Sequence, residues 1–402
     1  MRSAVSHSAG ARWREALGAG APPRPPLLQA LATAAHGSAS LRTSQRRGPF
    51  DDVAFESLPE THWTLLVNGV DRAVPAVADA LLPLFAFLPR WRMDDVQVSF
   101  APKHGSVGAH SDQYDVMLLQ ADGRKSWAIS QDPAYAPLNA EAFTPGLDVA
   151  VLSKFVAQKQ FVLEAGDMLY LPPAVAHHGV ALEPGFTYSV GFLAPTRREL
   201  FLSWAAALAD ADPHAAERWT DPWLTPAARP GQLSTDAVDA AVALIDSLPR
   251  TREDVAAWFG CHVTTPRGGQ EPMPLAELPA WDWVVAQGAD AGEVCRHESS
   301  RFAYLPSARA SGGGMLFADG RSFPATSAAA AAVAAEFADR RVVPWPQLAA
   351  MVSGDVQAQA LLQTLLEQGL LFLPSDEEEE GAEEEDERVE EIDLEDEAKA
   401  AP

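Results

Sequence analysis

The 402-residue chain has only two cysteines, Cys261 and Cys295. That is too few for a disulfide framework or a four-cysteine zinc site, and a reducing compartment suits it best. It has no uninterrupted apolar run approaching the ~18 residues of a membrane span, so no transmembrane helix is expected. No apolar h-region follows the start, so a secretory signal is not expected. Base is also scarce: 30 Lys and Arg stand against 55 Asp and Glu. Bulk charge therefore offers no broad nucleic-acid face, and no sequence-specific nucleic-acid binding is expected. What is present is 47% hydrophobic and 21% charged, the profile of a folded protein. The length favours two or three structural units.

The net charge of −25 is uneven: between Asp376 and Lys399, 16 acidic and 2 basic residues supply −14, leaving −11 for everything else. Such a tail repels itself and has little to bury, so 375–402 is expected to be disordered. The first 48 residues are biased the other way, with seven arginines and one acid, Glu15. They are expected to be poorly ordered. An Arg-rich, acid-poor start has the character of a transit peptide, so an organelle is the alternative to a cytoplasmic location.

Residues 49–196 are predicted to be mostly β, as short runs between turn signals. Val96–Pro102 alternates, Tyr114–Gln120 is nearly all apolar, and Lys125–Ser130 follows the Asp122–Gly123 turn pair. The last two runs read as a hairpin. Phe161–Leu163 and Met168–Leu171, joined at Gly166–Asp167, read as another pair, and Thr187–Phe192 closes the series. Val74–Phe87 has helical spacing, with Pro83 placed to kink it. Many short antiparallel strands with a helix outside predict a jelly-roll barrel within an α+β chain. Residues 197–272 are predicted helical, through Arg197–Ala211, Ser234–Leu248 and Arg252–Phe259. In 273–374, the helices Ser327–Asp339 and Gln357–Glu367 with short strands predict a winged-helix unit.

The informative stretch is Gly108-Ala109-His110-Ser111-Asp112-Gln113-Tyr114-Asp115. On extended backbone, positions i and i+2 share a face, so His110 and Asp112 converge. A second stretch, Glu164-Ala165-Gly166-Asp167-Met168-Leu169-Tyr170-Leu171-Pro172-Pro173, leads into Ala174-Val175-Ala176-His177-His178-Gly179. Each histidine alone fits a core or loop role. Jointly, two histidines and one carboxylate without a fourth protein ligand match the facial triad of non-haem Fe(II) oxygenases. Hydrolytic zinc is the chemical competitor.

GSVGAHSDQYDVMLLQADGRKSWAIS together with LEAGDMLYLPPAVAHHGVALEPGFTYSVGFLAP resembles the JmjC-type ribosomal oxygenases of the cupin superfamily. The resemblance is strongest to the bacterial branch that hydroxylates an arginine of the sixteenth large-subunit ribosomal protein. It implies a double-stranded β-helix barrel, then a helical dimerisation region and a winged helix. It also implies Fe(II), 2-oxoglutarate and O2 as cofactors and cosubstrates, a ribosomal-protein substrate and a homodimer. Carried over by position, His110, Asp112 and His177 are the implied metal ligands and catalytic centre. Lys125 is the implied partner of the 2-oxoglutarate carboxylate, where the branch resembles R-R-R-W. Ser189 is a second candidate for that carboxylate, and Arg124 is expected on the opposite face. Acids near the mouth, Asp94, Asp95 and Asp115, would suit a basic substrate. Histidine hydroxylation of another ribosomal protein, or a non-catalytic cupin that docks on ribosomes, are the alternatives.

Overall fold

The computed structural model describes residues 4–6, 38–41, 44–47 and 52–374, apart from 137–141, 145–150, 219, 221–230, 232, 249–250 and 308–311. The acidic tail and most of the arginine-rich start lie outside the described residues. The first elements are β1 (Ala4–Ser6), β2 (Ser38–Leu41), β3 (Ser44–Arg47), α1 (Asp52–Glu56), β4 (Trp63–Val67), α2 (Val70–Ala73) and α3 (Pro75–Leu81). They continue with β5 (Met93–Ala101), β6 (Asp115–Gln120), β7 (Lys125–Ser130), β8 (Lys159–Leu163), β9 (Met168–Leu171), β10 (Ala176–Ala181) and β11 (Gly185–Phe192).

These strands form an eight-stranded sheet, ordered β1-β9-β6-β11-β5-β4-β2-β3, and a three-stranded sheet, β10-β7-β8. Strand alternation divides the large sheet's side chains between two buried surfaces. Val96, Val98, Met117, Leu119, Tyr188 and Val190 face outward and pack under Val77, Leu81 and Phe85 from α3 and the 3-10 turn after it. Val116, Leu118 and Leu169 face inward and meet Trp127, Ile129 and Leu163 of the small sheet. Pro83 acts as expected: α3 stops at Leu81 and the chain continues as a 3-10 turn over Leu82–Phe85.

Two expectations are corrected. β6 and β7 do not form a hairpin, because β6 pairs with β11 and β9 whereas β7 pairs with β10 and β8. Nor do β8 and β9 pair with each other; β8 lies against β7 and β9 against β6. Each turn carries the chain from one sheet to the other. β6 and β7 are buried on both faces, and β6 reads as a near-continuous apolar run; such a run does not reveal which neighbour it pairs with.

The second half contains α4 (Arg197–Ala211), α5 (Thr235–Ser247), α6 (Arg252–Thr264), α7 (Trp281–Ala291) and β12 (Glu293–Arg296). It ends with β13 (Phe302–Pro306), β14 (Gly314–Ala318), β15 (Arg321–Ala325), α8 (Ala328–Asp339), β16 (Val342–Pro344), α9 (Trp345–Val352), α10 (Val356–Glu367) and β17 (Leu371–Phe372). Thr196 starts α4 with a reciprocal cap: its hydroxyl accepts from Glu199 N–H while the Glu199 carboxylate accepts from Thr196 N–H. Trp204 of α4 meets Trp258 of α6 edge-on at 5.0 Å, whereas Phe201 and Leu202 remain exposed. Beyond them, α8 and α10 close a separate core around Val333, Phe337, Leu362 and Leu365, against Leu316 of β14. Among the described residues the short strands expected here form two three-stranded sheets, β13-β14-β15 and β16-β12-β17. Among the described residues no helix is long and apolar enough to cross a membrane.

Candidate metal centre

His110 lies in the loop after β5 and is drawn onto β10 by two backbone bonds. His110 N–H donates to His177 C=O at 3.0 Å, and His177 N–H donates to His110 C=O at 2.8 Å. Gly108, at φ 98°, makes the approach possible, since a Cβ there would lie 2.8 Å from Val151. Asp112 is anchored in turn, its carbonyl accepting from Ala174 N–H at 2.7 Å. Ala174 follows the double proline in a left-handed conformation, φ 63°, which turns the chain into β10.

The result is one group of ligand atoms from His110, Asp112 and His177, all within 4.8 Å of one another. Asp112 Oδ2 is 3.6 Å from His177 Nε2 and 3.9 Å from His110 Nε2. The two Nδ1 atoms sit 3.0 Å from backbone carbonyls, His110 on Gly108 and His177 on Val175. A carbonyl only accepts, so each Nδ1 carries the proton and each Nε2 turns a lone pair toward Asp112. Burial, reinforced by His110, holds His177 well below the ordinary histidine range and thus neutral, the state that ligates. Burial raises the Asp112 carboxyl and His110 opposes the shift. A cation among the three would replace the missing hydration of that carboxylate.

The group opens on a cavity of ≈ 240 Å³ between the two sheets, also lined by Gln97, Ser99, Lys125, Trp127 and Ser189. Lys125 is 5% exposed. Its Nζ donates to Thr187 Oγ1 at 3.3 Å and lies 4.8 Å from the Trp127 ring centre. Thr187 Oγ1 donates its own hydrogen bond to Gln120 Oε1 at 3.1 Å, so its lone pairs face the ammonium. No described carboxylate pairs with Lys125, and burial pushes it down to about 8. Trp127 Nε1 is buried with no partner. Gly179 leaves room for both, because a Cβ there would lie 2.8 Å from the indole and 2.9 Å from Lys125 Cε. One end of the cavity thus offers metal ligands and another an unpaired ammonium, a donor set that fits a metal chelator with a distal carboxylate.

Several neighbouring charged and imidazole groups lie elsewhere. His178 points to the other face of β10, edge-on to Phe155 at 6.2 Å. Arg124 is on the outside, paired with Glu183 at 2.6 Å. Exposed His104 lies beside His62, their ring centres 5.0 Å apart and the planes tilted. The mouth acids are engaged in structural bonds. Asp115 pairs with Arg92 and accepts from the Tyr170 hydroxyl, Asp94 pairs with Arg267, and Asp95 accepts from Gly69 N–H. Thr187 and Gln120 were not singled out in the sequence. Thr187 is two residues before Ser189 on β11 and therefore on the same inward face, which is the signal that could have found it.

A JmjC domain profile matches residues 80–200 and a ROXA-like winged-helix profile matches residues 243–372. Residues 80–200 thus carry a JmjC domain and residues 243–372 a ROXA-like winged helix, and the chain is homologous to the E. coli ribosomal oxygenase. The ribosomal protein uL16 3-hydroxylase of Escherichia coli K12 is 34% identical over 247 residues, 61% of this chain. The match spans 64% of that relative's length, just under two thirds. The solved structure of YcfD, a ribosomal oxygenase from E. coli, superposes with a TM-score of 0.69 at 26% identity, covering 87% of this chain and 90% of that one. A structure of YcfD with cobalt and 2-oxoglutarate gives 0.68 at 26% identity over the same shares.

Proposed function

We propose that this protein is an Fe(II)- and 2-oxoglutarate-dependent hydroxylase of a ribosomal protein, with an arginine of the sixteenth large-subunit protein as its target. The observation that carries the reading is the shared cavity: a His-Asp-His group and a buried ammonium without a counter-charge face the same space. Homology to the uL16 3-hydroxylase supports the substrate, and the cobalt and 2-oxoglutarate bound to YcfD support the cofactors. Cytoplasmic action and homodimerisation through α4 and α5 belong to the same proposal. Phe201, Leu202, Val242 and Ile245 are exposed there.

In this reading His110, Asp112 and His177 hold the iron, and Lys125 receives the distal carboxylate of 2-oxoglutarate. Iron with the 2-oxo acid and dioxygen supplies an oxidant strong enough for an unactivated C–H bond, with succinate and carbon dioxide released. The protein's share is positional. The carbonyls of Gly108 and Val175 fix both imidazole tautomers, so no proton must leave Nε2 before the metal binds. Thr187 and Gln120 keep the ammonium aimed inward. Val116, Leu118 and Trp127 keep that part of the cavity apolar and exclude water from the reacting carbon.

Succinate formation by the purified chain with Fe(II), ascorbate and 2-oxoglutarate, with ribosomal-protein peptides added singly, tests this. A one-oxygen mass gain on the arginine peptide, absent in H110A, is the expected result. Gain on a histidine peptide would move the target to histidine. Neither succinate nor mass gain would leave a non-catalytic binding protein.

A further inference from the structure

A second concentration of buried cations lies away from the metal centre, where the barrel meets the winged-helix half. A cleft of ≈ 60 Å³ is lined there by Arg72 and Arg90 of the barrel and by Arg267, Arg296 and Arg301 of the second half. Three carboxylates share the cleft, and each is committed. Asp94 pairs with Arg267, Glu298 pairs with Arg341, and Asp71 accepts from Val96 N–H at 2.9 Å. Burial raises Asp71, and the charges of Arg72 and Arg301 oppose the shift. Asp319, nearby, accepts from the Ser300 hydroxyl and from Arg301 N–H, each at 2.8 Å.

The remaining four arginines donate only to backbone carbonyls, and none forms an ion pair with a described carboxylate. Arg72 reaches Asp94 C=O at 3.3 Å, Arg90 reaches Asp339 C=O at 2.9 Å, and Arg296 reaches Phe337 C=O at 3.0 Å. Arg301 reaches Met93 and Trp91 C=O, both at 3.0 Å, and its Nε reaches Val263 C=O at 3.4 Å. Arg296 is 6% exposed, and its Nε is buried without any partner. Carbonyl dipoles satisfy N–H groups without cancelling charge. Asp319 acts on Arg296, and Asp94 and Asp71 act on Arg301, without a direct ion pair, yet the five arginines of the lining outnumber its three carboxylates and leave the cleft net cationic. Burial and the neighbouring arginines push Arg296 down to about 9.

We propose that this cleft binds one small oxyanion of the phosphate class, which bridges Arg296 and Arg301 of the second half to Arg90 of the barrel. Guanidinium forks present paired N–H donors that match the oxygens of a tetrahedral oxyanion better than a spherical halide. The small volume admits an ion but no nucleoside. Free inorganic phosphate is therefore the ligand, and it clamps the two halves together. This inference does not depend on the hydroxylase reading.

The test is thermal unfolding of the full chain against orthophosphate, with ionic strength matched by gluconate. At tenfold excess over Kd, phosphate raises Tm by about 2 °C and saturates; gluconate does not. In R296M the phosphate response disappears, while Tm in gluconate stays equal or rises, because an apolar isostere relieves the unpaired charge. Should R296M fail to fold, R90Q on the barrel side must weaken the phosphate response at least tenfold in apparent Kd. AMP at equal concentration gives no response. An equal rise with gluconate, an unchanged phosphate response in either variant, or a response to AMP as large as to phosphate overturns the assignment.

Discussion

Lys125 and Arg296 are 5% and 6% exposed, and neither has a carboxylate partner among the described residues. Their surroundings differ in kind. Lys125 sits at the end of a hydroxyl and amide relay, Thr187 and Gln120, and shares its cavity with the candidate metal-binding group His110, Asp112 and His177. Arg296 sits among other guanidiniums at a seam between two halves, held by a carbonyl and stacked 5.3 Å from the Phe302 ring. Both are buried charges without a direct ion pair, and an anion from outside the chain would complete each. At Lys125 that anion would be the proposed cosubstrate. At Arg296 it would be the proposed phosphate.

The largest effect that sharpens this contrast is on turnover. H110A and D112A each lower peptide oxidation by at least about 10³-fold, while the metal-free proteins melt within about 2 °C of the parent. The small shift follows because neither side chain belongs to a hydrophobic cluster. Retained turnover in either would remove the metal-centre assignment. Next, K125A lowers kcat/KM for 2-oxoglutarate by about 10²-fold, mainly through KM, since it removes a buried charge-assisted bond. K125R recovers part of the loss. A uniform fall in kcat with KM unchanged would mean that Lys125 does not hold the cosubstrate.

The third effect is on pH dependence without ligand. Burial pushes Lys125 down to about 8, below its ordinary value of about 10.4. Between those values the unfolded chain keeps a proton here that the folded chain has released. Stability from this group therefore rises with pH from about 8 toward 10. K125M abolishes the rise, and melts at pH 7, 8 and 9.5 check it. The smallest effect is expected at Arg124. R124A removes an exposed pair with Glu183, and neither Tm nor KM for 2-oxoglutarate changes measurably. A change in KM would mean that the wrong member of the Arg124–Lys125 pair faces the cavity.

Much of the site was legible because strand geometry is local. The i, i+2 spacing of His110 and Asp112 put them on one side of an extended chain, and the double proline marked where His177 follows. Alternation likewise separated Lys125 from Arg124. Pairing was not legible. Tyr114–Gln120 and Lys125–Ser130 looked like a hairpin because both faces of each strand are buried, which removes the polar half of the pattern that distinguishes partners.

By itself, then, the order of residues determined the ligand types, their spacing, the helix after the barrel with its Thr196–Glu199 cap, and a β-rich half followed by a helical one. Each of these depends on neighbours a few positions apart. Tertiary structure alone decided that β6 and β7 part into different sheets, that Thr187 aims Lys125 and that five arginines from distant positions meet in one cleft. Those outcomes depend on which surfaces are buried together, and the cost of an unpaired charge appears only once the chain has closed around it.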